Sequence, residues 1–248
     1  MEFQMQPNEI ITGGNIGYSI KWNLYKNAML VIDGKGEIPS LDDDDEGMLW
    51  RQEKYRGKIR FLQIGEGITR IGQNAFYHCY NLTEISFPDS MICIDSRAFF
   101  HCDGLKDITF PQNVIRIGSS ALSLCNNLKT VRLPDALDTL ESDMFLCCSS
   151  LTSIALPEGI TCLKQGIFYG CENLTDINLP SSLICIGKLA FSNCKKLARI
   201  SIPQGVFKIG GQAFNGCGNL KEVLMPARLN RDQFEKIYGI SREYAHFI

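Results

Sequence analysis

Cys79, Cys102, Cys125, Cys148, Cys171, Cys194 and Cys217 stand 23 residues apart. The same interval separates Pro88, Pro111, Pro134, Pro157, Pro180, Pro203 and Pro226. It also separates Leu82, Leu105, Leu128, Leu151, Leu174, Leu197 and Leu220, with Ile59 in register ahead of them. Phe76, Phe99, Phe145, Phe168, Phe191 and Phe214 form a fourth column, in which Leu122 is the one replacement. The register runs unbroken from Ile59 to Pro226. A fixed period of this length constrains the fold more than any other feature of the chain. Each unit is one supersecondary turn too small to bury its own apolar face, so neighbouring units must supply the core.

Within a unit, Ile85 and Phe87 alternate with polar Glu84 and Ser86, the period of a strand. Pro88 has no amide proton and ends that strand's ladder. A second short extended stretch is expected around Met91 to Ile94, and a helical or 3-10 turn around Ala98 to Cys102 brings the chain back. Three sides closed in 23 residues make one coil of a solenoid, with strands stacked in parallel at ~4.8 Å.

The run Leu174-Thr-Asp-Ile177-Asn-Leu179-Pro180, then Leu183 with Ile186 and Gly187, then Ala190-Phe191-Ser-Asn-Cys194 carries a specific resemblance. It resembles the BspA-type repeat of bacterial surface proteins, within the leucine-rich repeat superfamily, and the likeness covers residues 59–226. The resemblance implies an α/β leucine-rich-repeat solenoid, horseshoe-like, with parallel coils and short helical or 3-10 turns. It further implies a non-enzymatic protein-interaction or adhesion module at the cell surface or secreted, binding a protein or extracellular-matrix ligand, with no catalytic residues and no cofactor. The glycine column Gly72, Gly118, Gly187 and Gly210 is interrupted by Asp95, Glu141 and Lys164, which tolerate a tight bend less well.

A solenoid exposes apolar cross-sections at both ends and needs caps. Residues 1–58 are expected to form one, with a hairpin over 17–33 (Tyr18 to Leu24 alternating, Met29 to Ile32 returning) and a short helix from Trp50 to Arg56. This stretch also resembles the segment that often precedes BspA-type repeats. Residues 59–228 hold seven coils and a final strand. Residues 229–248 are expected to form a C-terminal helical cap, since Arg231, Phe234, Ile237 and Tyr238 have helical spacing before Gly239.

Charge is balanced, 25 Lys+Arg against 27 Asp+Glu, which argues against a dedicated nucleic-acid binder. No apolar run reaches the ~20 residues of a membrane span. The polar start, with Glu2 and Glu9, does not read as a signal peptide. An intracellular scaffold is therefore the alternative to a surface module.

The cysteines of the 23-residue column share one environment and are expected to be buried, unpaired and metal-free. Cys93, Cys162 and Cys185 share another column. Cys162 and Cys185 fall on adjacent coils within bridging range, but free thiols are the preferred reading there. His78 and His101, each before a column cysteine, suggest a thiol-nucleophile pair. The same column continues as Leu124, Cys147, Gly170 and Asn193, so a variable loop position is the simpler account. Asp42 to Glu46, Gly47 and Glu53 partly fill a calcium-loop pattern. Gly34, Gly36, Pro39 and Ser40 forbid its incoming helix, which leaves a solvated acidic loop and no metal.

The functional surface is expected on the outward face of the first strand. Glu84, Asp107, Arg132, Asp176, Asn178 and Arg199 are its candidate binding residues, with Arg132 and Arg199 as anchors because guanidinium is enriched at hot spots. The column Ile92, Ile115, Ile184 and Phe207 would form a second, apolar stripe if it points outward.

Overall fold

The structure, a computed structural model, describes residues 7–42, 48–229 and 238–247. Eight first strands stack in parallel: Phe61–Ile64, Glu84–Ser86, Asp107–Thr109, Thr130–Arg132, Ser153–Ala155, Asp176–Asn178, Arg199–Ser201 and Glu222–Met225. Each pairing that is formed keeps the 23-residue offset, as in Phe61↔Glu84, Thr130↔Asp107, Ser153↔Asp176 and Arg199↔Glu222. The middle residue of most of these strands is buried and its neighbours are exposed, so the alternation read from the sequence holds. The second side carries shorter parallel strands, among them Ile68–Ile71, Cys93–Ile94, Arg116–Ile117, Cys162–Leu163, Cys185–Ile186 and Lys208–Ile209. Its ladder is interrupted between Ile117 and Leu163, where a single bridge joins Leu140 to Leu163. That interruption falls where two successive coils, with Glu141 and Lys164, lack the column glycine.

Those glycines serve close approach rather than a bend. A Cβ on Gly210 would lie 2.3 Å from the Lys188 backbone nitrogen, and one on Gly187 would lie 2.6 Å from the Lys164 carbonyl carbon. The left-handed positions come later in the coil. Asn74, Arg97, Ser120, Asp143, Gly166, Leu189 and Gln212 form one column of positive φ. His78, His101, Leu124, Cys147, Gly170, Asn193 and Gly216 form a second, four residues on. The third side is thus built from successive reverse turns. Among the described residues, helix is confined to Leu49–Arg51, Glu53–Arg56, Arg242–Tyr244 and the single residue Tyr238.

The turns also hydrogen-bond between coils. The amides of Asn74, Phe76 and His78 donate to the carbonyls of Ser96, Ala98 and Phe100, and Phe99, His101, Phe168 and Phe191 repeat the pattern. Inside, the phenylalanine column is a stack: centroids lie 5.4 Å apart for Phe76–Phe99, and 5.5, 5.5 and 5.3 Å along Phe145, Phe168, Phe191 and Phe214. Where Leu122 breaks the column, its coil carries Phe110, also fully buried, directly after the first strand.

At the N-terminal end β1 (Ile10–Ile16), β2 (Ile20–Tyr25) and β3 (Met29–Gly34) form an antiparallel meander. β3 then pairs in parallel with Phe61–Ile64. The hairpin of β2 and β3 matches the sequence reading; β1 does not, because its Ile-Ile-Thr-Gly-Gly-Asn-Ile run sits on an edge and lacks a buried face. Trp50 extends the aromatic stack. Its ring lies 6.2 Å from Phe76 and edge-on to Trp22 at 5.1 Å, and its indole N–H donates to the Ala75 carbonyl at 3.0 Å. At the other end the helical spacing over 231–237 lies outside the described residues. The described remainder is not helical throughout: Ala245–Phe247 is a strand pairing in parallel with Glu222–Met225. Of the acidic loop, residues 43–47 also lie outside the described residues.

The facing assignment gives a direct test. Leu151 is fully buried and Ser153 exposed. Leu151→Asp is expected to cost about 4 kcal/mol or more, because it combines a cavity with a buried carboxylate, while Ser153→Asp changes stability by about 0.5 kcal/mol or less. Urea unfolding of both variants checks this; equal losses would invert the assignment.

Candidate functional site

The six outward residues named from the sequence are all exposed on the first-strand sheet. The structure gathers three of them into one groove. Asp176, Asn178 and Arg199 line a cavity of about 710 Å³ together with Ser201, Glu222 and Leu224. Glu84, Asp107 and Arg132 lie on the same face in earlier coils, outside that groove. Arg199 stands opposite Glu222 in the strand register and follows Asp176 in its column. Among the described residues its guanidinium makes no ion pair, so the row reads carboxylate, guanidinium, carboxylate, with the charges held on neighbouring strands but not neutralised against each other.

The second wall comes from residues the sequence reading missed. Glu158, Ser181 and Gln204 follow the strand-ending prolines at the 23-residue interval and line the same groove. Their loops are tied coil to coil. Ser181 donates its amide to the Glu158 carboxylate at 3.1 Å, and the Ser182 hydroxyl donates to the Glu158 carbonyl and, at 2.7 Å, to the Ile160 carbonyl. Arg228 donates to the Gln204 carbonyl. The signal that could have found them is their shared column immediately after proline.

The apolar column does point outward. Ile92, Ile115, Ile184 and Phe207 are 42–63% exposed. It is two separate pairs rather than a stripe, because Asp138 and Thr161 occupy the intervening coils.

The thiol chemistry is set by position. Cys79, Cys102, Cys125, Cys148, Cys171 and Cys194 are fully buried, and Cys217 at the last coil is half-buried. From Cys102 onward each thiol donates to the backbone carbonyl of the residue 26 positions earlier. Cys102 reaches Phe76 at 3.3 Å, Cys125 reaches Phe99 at 3.3 Å, Cys148 reaches Leu122 at 3.1 Å, and Cys171, Cys194 and Cys217 reach Phe145, Phe168 and Phe191 at 3.2, 3.2 and 3.0 Å. Burial pushes the Cys79 and Cys125 thiols up to about 12, so the nucleophilic thiolate is suppressed there. The neighbouring histidines do not rescue it. His78 is stacked on Tyr77 at 4.0 Å and edge-on to His101 at 4.8 Å, and His101 reaches Asp103 at 2.9 Å. Burial, with His101, Arg56 and Arg51 nearby, lowers the His78 pKa. Among the described residues no group of His, Cys, Asp or Glu converges as a metal site.

One cysteine expectation is corrected. Cys162 and Cys185, preferred as free thiols from sequence, form a disulfide. They are directly opposite on paired parallel strands, 4.8 Å apart at Cα, and both side chains face outward rather than into a core that would hold them apart. Cys93, third in that column, faces Arg70 and Arg116 across its ladder instead.

A stacked array of short parallel strands, one outward polar face and a buried Phe–Cys interior define the class of leucine-rich solenoids. A profile of the BspA type leucine rich repeat region matches this chain in six copies, over residues 54–161 and 138–236. The chain belongs to that family. Among solved structures it is similar to a leucine-rich repeat protein of Bacteroides ovatus, at 25% identity and TM-score 0.58, covering 90% of this chain and 71% of that one. It is also similar to the leucine-rich repeat protein of T. pallidum, at 23% identity and TM-score 0.57, covering 94% and 98%. A third likeness, at 22% identity and TM-score 0.58, is to a leucine-rich repeat protein of Eubacterium ventriosum, covering 88% and 67%. No curated protein matches.

Thiol titration tests the cysteine assignments. The unfolded, unreduced chain is expected to show nine thiols, and eleven after reduction. In the native protein the six fully buried thiols are expected to stay unlabelled until unfolding. A count of eleven before reduction would remove the bridge, and rapid native labelling of Cys125 would remove the buried ladder.

Proposed function

We propose that this chain is a non-enzymatic interaction module that binds a protein or matrix ligand through the outward face of its first-strand sheet. The groove around Arg199 carries this reading. The core fixes the strand register, so Asp176, Asn178, Arg199 and Glu222 form a preset array that loses little entropy on binding. Glu84, Asp107 and Arg132 extend it toward the N-terminal end as a weaker flank. Family membership supports the coarser statement, since leucine-rich repeats typically serve interaction; the suppressed ladder thiols support a non-enzymatic role. The segments 1–58 and 229–248 act as caps, an assignment supported by Trp50 covering Phe76 and by Ala245–Phe247 covering the last strand.

The Cys162–Cys185 bridge favours a surface or secreted location and adhesion over the intracellular scaffold. Disulfides persist in oxidising compartments and are rare where glutathione keeps thiols reduced. No described helix is long and apolar enough to cross a membrane, so attachment would come from a ligand or from another segment.

The test uses immobilised collagen, fibronectin and laminin as probes. Binding to at least one is expected, weakened roughly tenfold or more by Arg199→Ala and reduced by Asp176→Ala, with Tyr169→Ala on the turn side neutral. If Tyr169→Ala alone abolishes binding while Arg199→Ala binds normally, the face assignment is wrong.

A further inference from the structure

We propose that the edge on which the first strands begin binds an acidic polysaccharide, seated at the N-terminal end in a basic pocket. This does not rest on the groove around Arg199, which lies in later coils. The pocket holds about 490 Å³ between the turn after β2, the stretch Gly57–Arg60 and the next coil's Asn81 and Thr83. Lys26, Lys58 and Arg60 line it. Lys26 is engaged by Glu9 at 2.8 Å. Among the described residues neither Lys58 nor Arg60 meets a carboxylate; the Lys58 ammonium lies 5.7 Å from the Tyr55 ring. Asn81 donates to the Gly57 carbonyl at 2.7 Å and Thr83 to the Arg60 carbonyl at 2.9 Å, so both are partly engaged within the fold and the charged groups facing a ligand are Lys58 and Arg60.

The charge continues beyond the pocket. The column that holds Arg60 and Thr83 carries Lys106 and Lys129 in the next two coils, both exposed. The amide of Lys129 donates to the carbonyl of Lys106 at 2.7 Å, which fixes these coils against each other. At ~4.8 Å per coil the row from Arg60 to Lys129 spans on the order of 14 Å. The nearest acid in the adjoining loop, Asp103, is taken by His101 at 2.9 Å and by Asn126. Glu84 and Asp107 lie one residue further along, on the sheet face, and confine an anion to the edge. One-signed charge against a low-dielectric wall concentrates counter-ions there.

A straight row of cations suits an extended polyanion better than a folded acidic partner. The pocket walls choose the kind. Ile11, Ala28 and Tyr25 supply apolar surface on which the C–H face of a sugar ring can lie. Among the described residues no run of exposed aromatic rings, of the kind that nucleic-acid bases stack upon, flanks Lys106 and Lys129.

Immobilised heparin and polygalacturonate, the one sulfated and the other carboxylated, test the proposal with the full chain; dextran and single-stranded DNA are the comparisons. Retention on at least one acidic glycan at low salt, released as salt rises, and none on dextran is the expected result. Lys58→Ala with Arg60→Ala should weaken it roughly tenfold, and Lys106→Ala with Lys129→Ala should weaken it measurably. Lys188→Ala with Lys208→Ala removes the same charge from exposed positions elsewhere and should leave retention unchanged. No retention, equal weakening by that control, or tighter binding of DNA through the same residues overturns the proposal. Should the pocket variant melt early, the Lys106 and Lys129 pair, which forms no pocket wall, must still weaken retention, or the proposal fails.

Discussion

Contact between one coil and the next holds this molecule together. No 23-residue unit can close a core alone, so the column phenylalanines are buried against those of neighbouring coils. The thiol ladder uses the same junction. The carbonyls of Phe76, Phe145, Phe168 and Phe191 each accept the amide three residues on and the thiol one coil further on, as Phe76 accepts from Cys79 and Cys102. Cysteine fits because its sulfur is small, apolar enough to bury and still a weak donor. A serine there would present a stronger donor in a dry site, and an alanine would leave that second bond unmade.

Given that junction, the two outer surfaces follow. The first strands are held in register by what lies beneath them, so their outward side chains sit in fixed rows. In the later coils a mixed row around Arg199 meets a loop wall from Glu158, Ser181 and Gln204. In the early coils the edge beside the hairpin is basic. The chain's near-zero net charge conceals this separation, since both features are local.

Much of this was legible in the sequence because the period averages out local ambiguity. A single Ile-x-Phe run is weak evidence for a strand; eight in one register decide which side chains are buried. What stayed hidden was set by geometry between columns. The Cys162 and Cys185 pairing needed the direction of two side chains, which register alone does not give. The left-handed column looked like a tolerant loop position because His78, Leu124 and Cys147 share no chemistry; they share only a positive φ, costly for a side chain with a Cβ. Glu158 and Ser181 were passed over because they lie past the proline, outside the strand. β1 offered no period at all. Residues 230–237, and residues 43–47 of the acidic loop, lie outside the described residues.

The thiol-to-carbonyl junction also bears on how such a chain changes length. Every internal coil presents the same donor upward and the same acceptor downward, so any two can be neighbours. Excision or duplication of 23 residues between matching positions would reconnect Phe stack, thiol and proline without a new contact having to arise. The array therefore behaves as a ruler with interchangeable segments: gene-level slippage by one unit would add or remove one rung of the outward face, ~4.8 Å, while slippage by any other amount would break the junction. Reach and sequence diversity on the outer face can then drift independently of the interior that makes them stable.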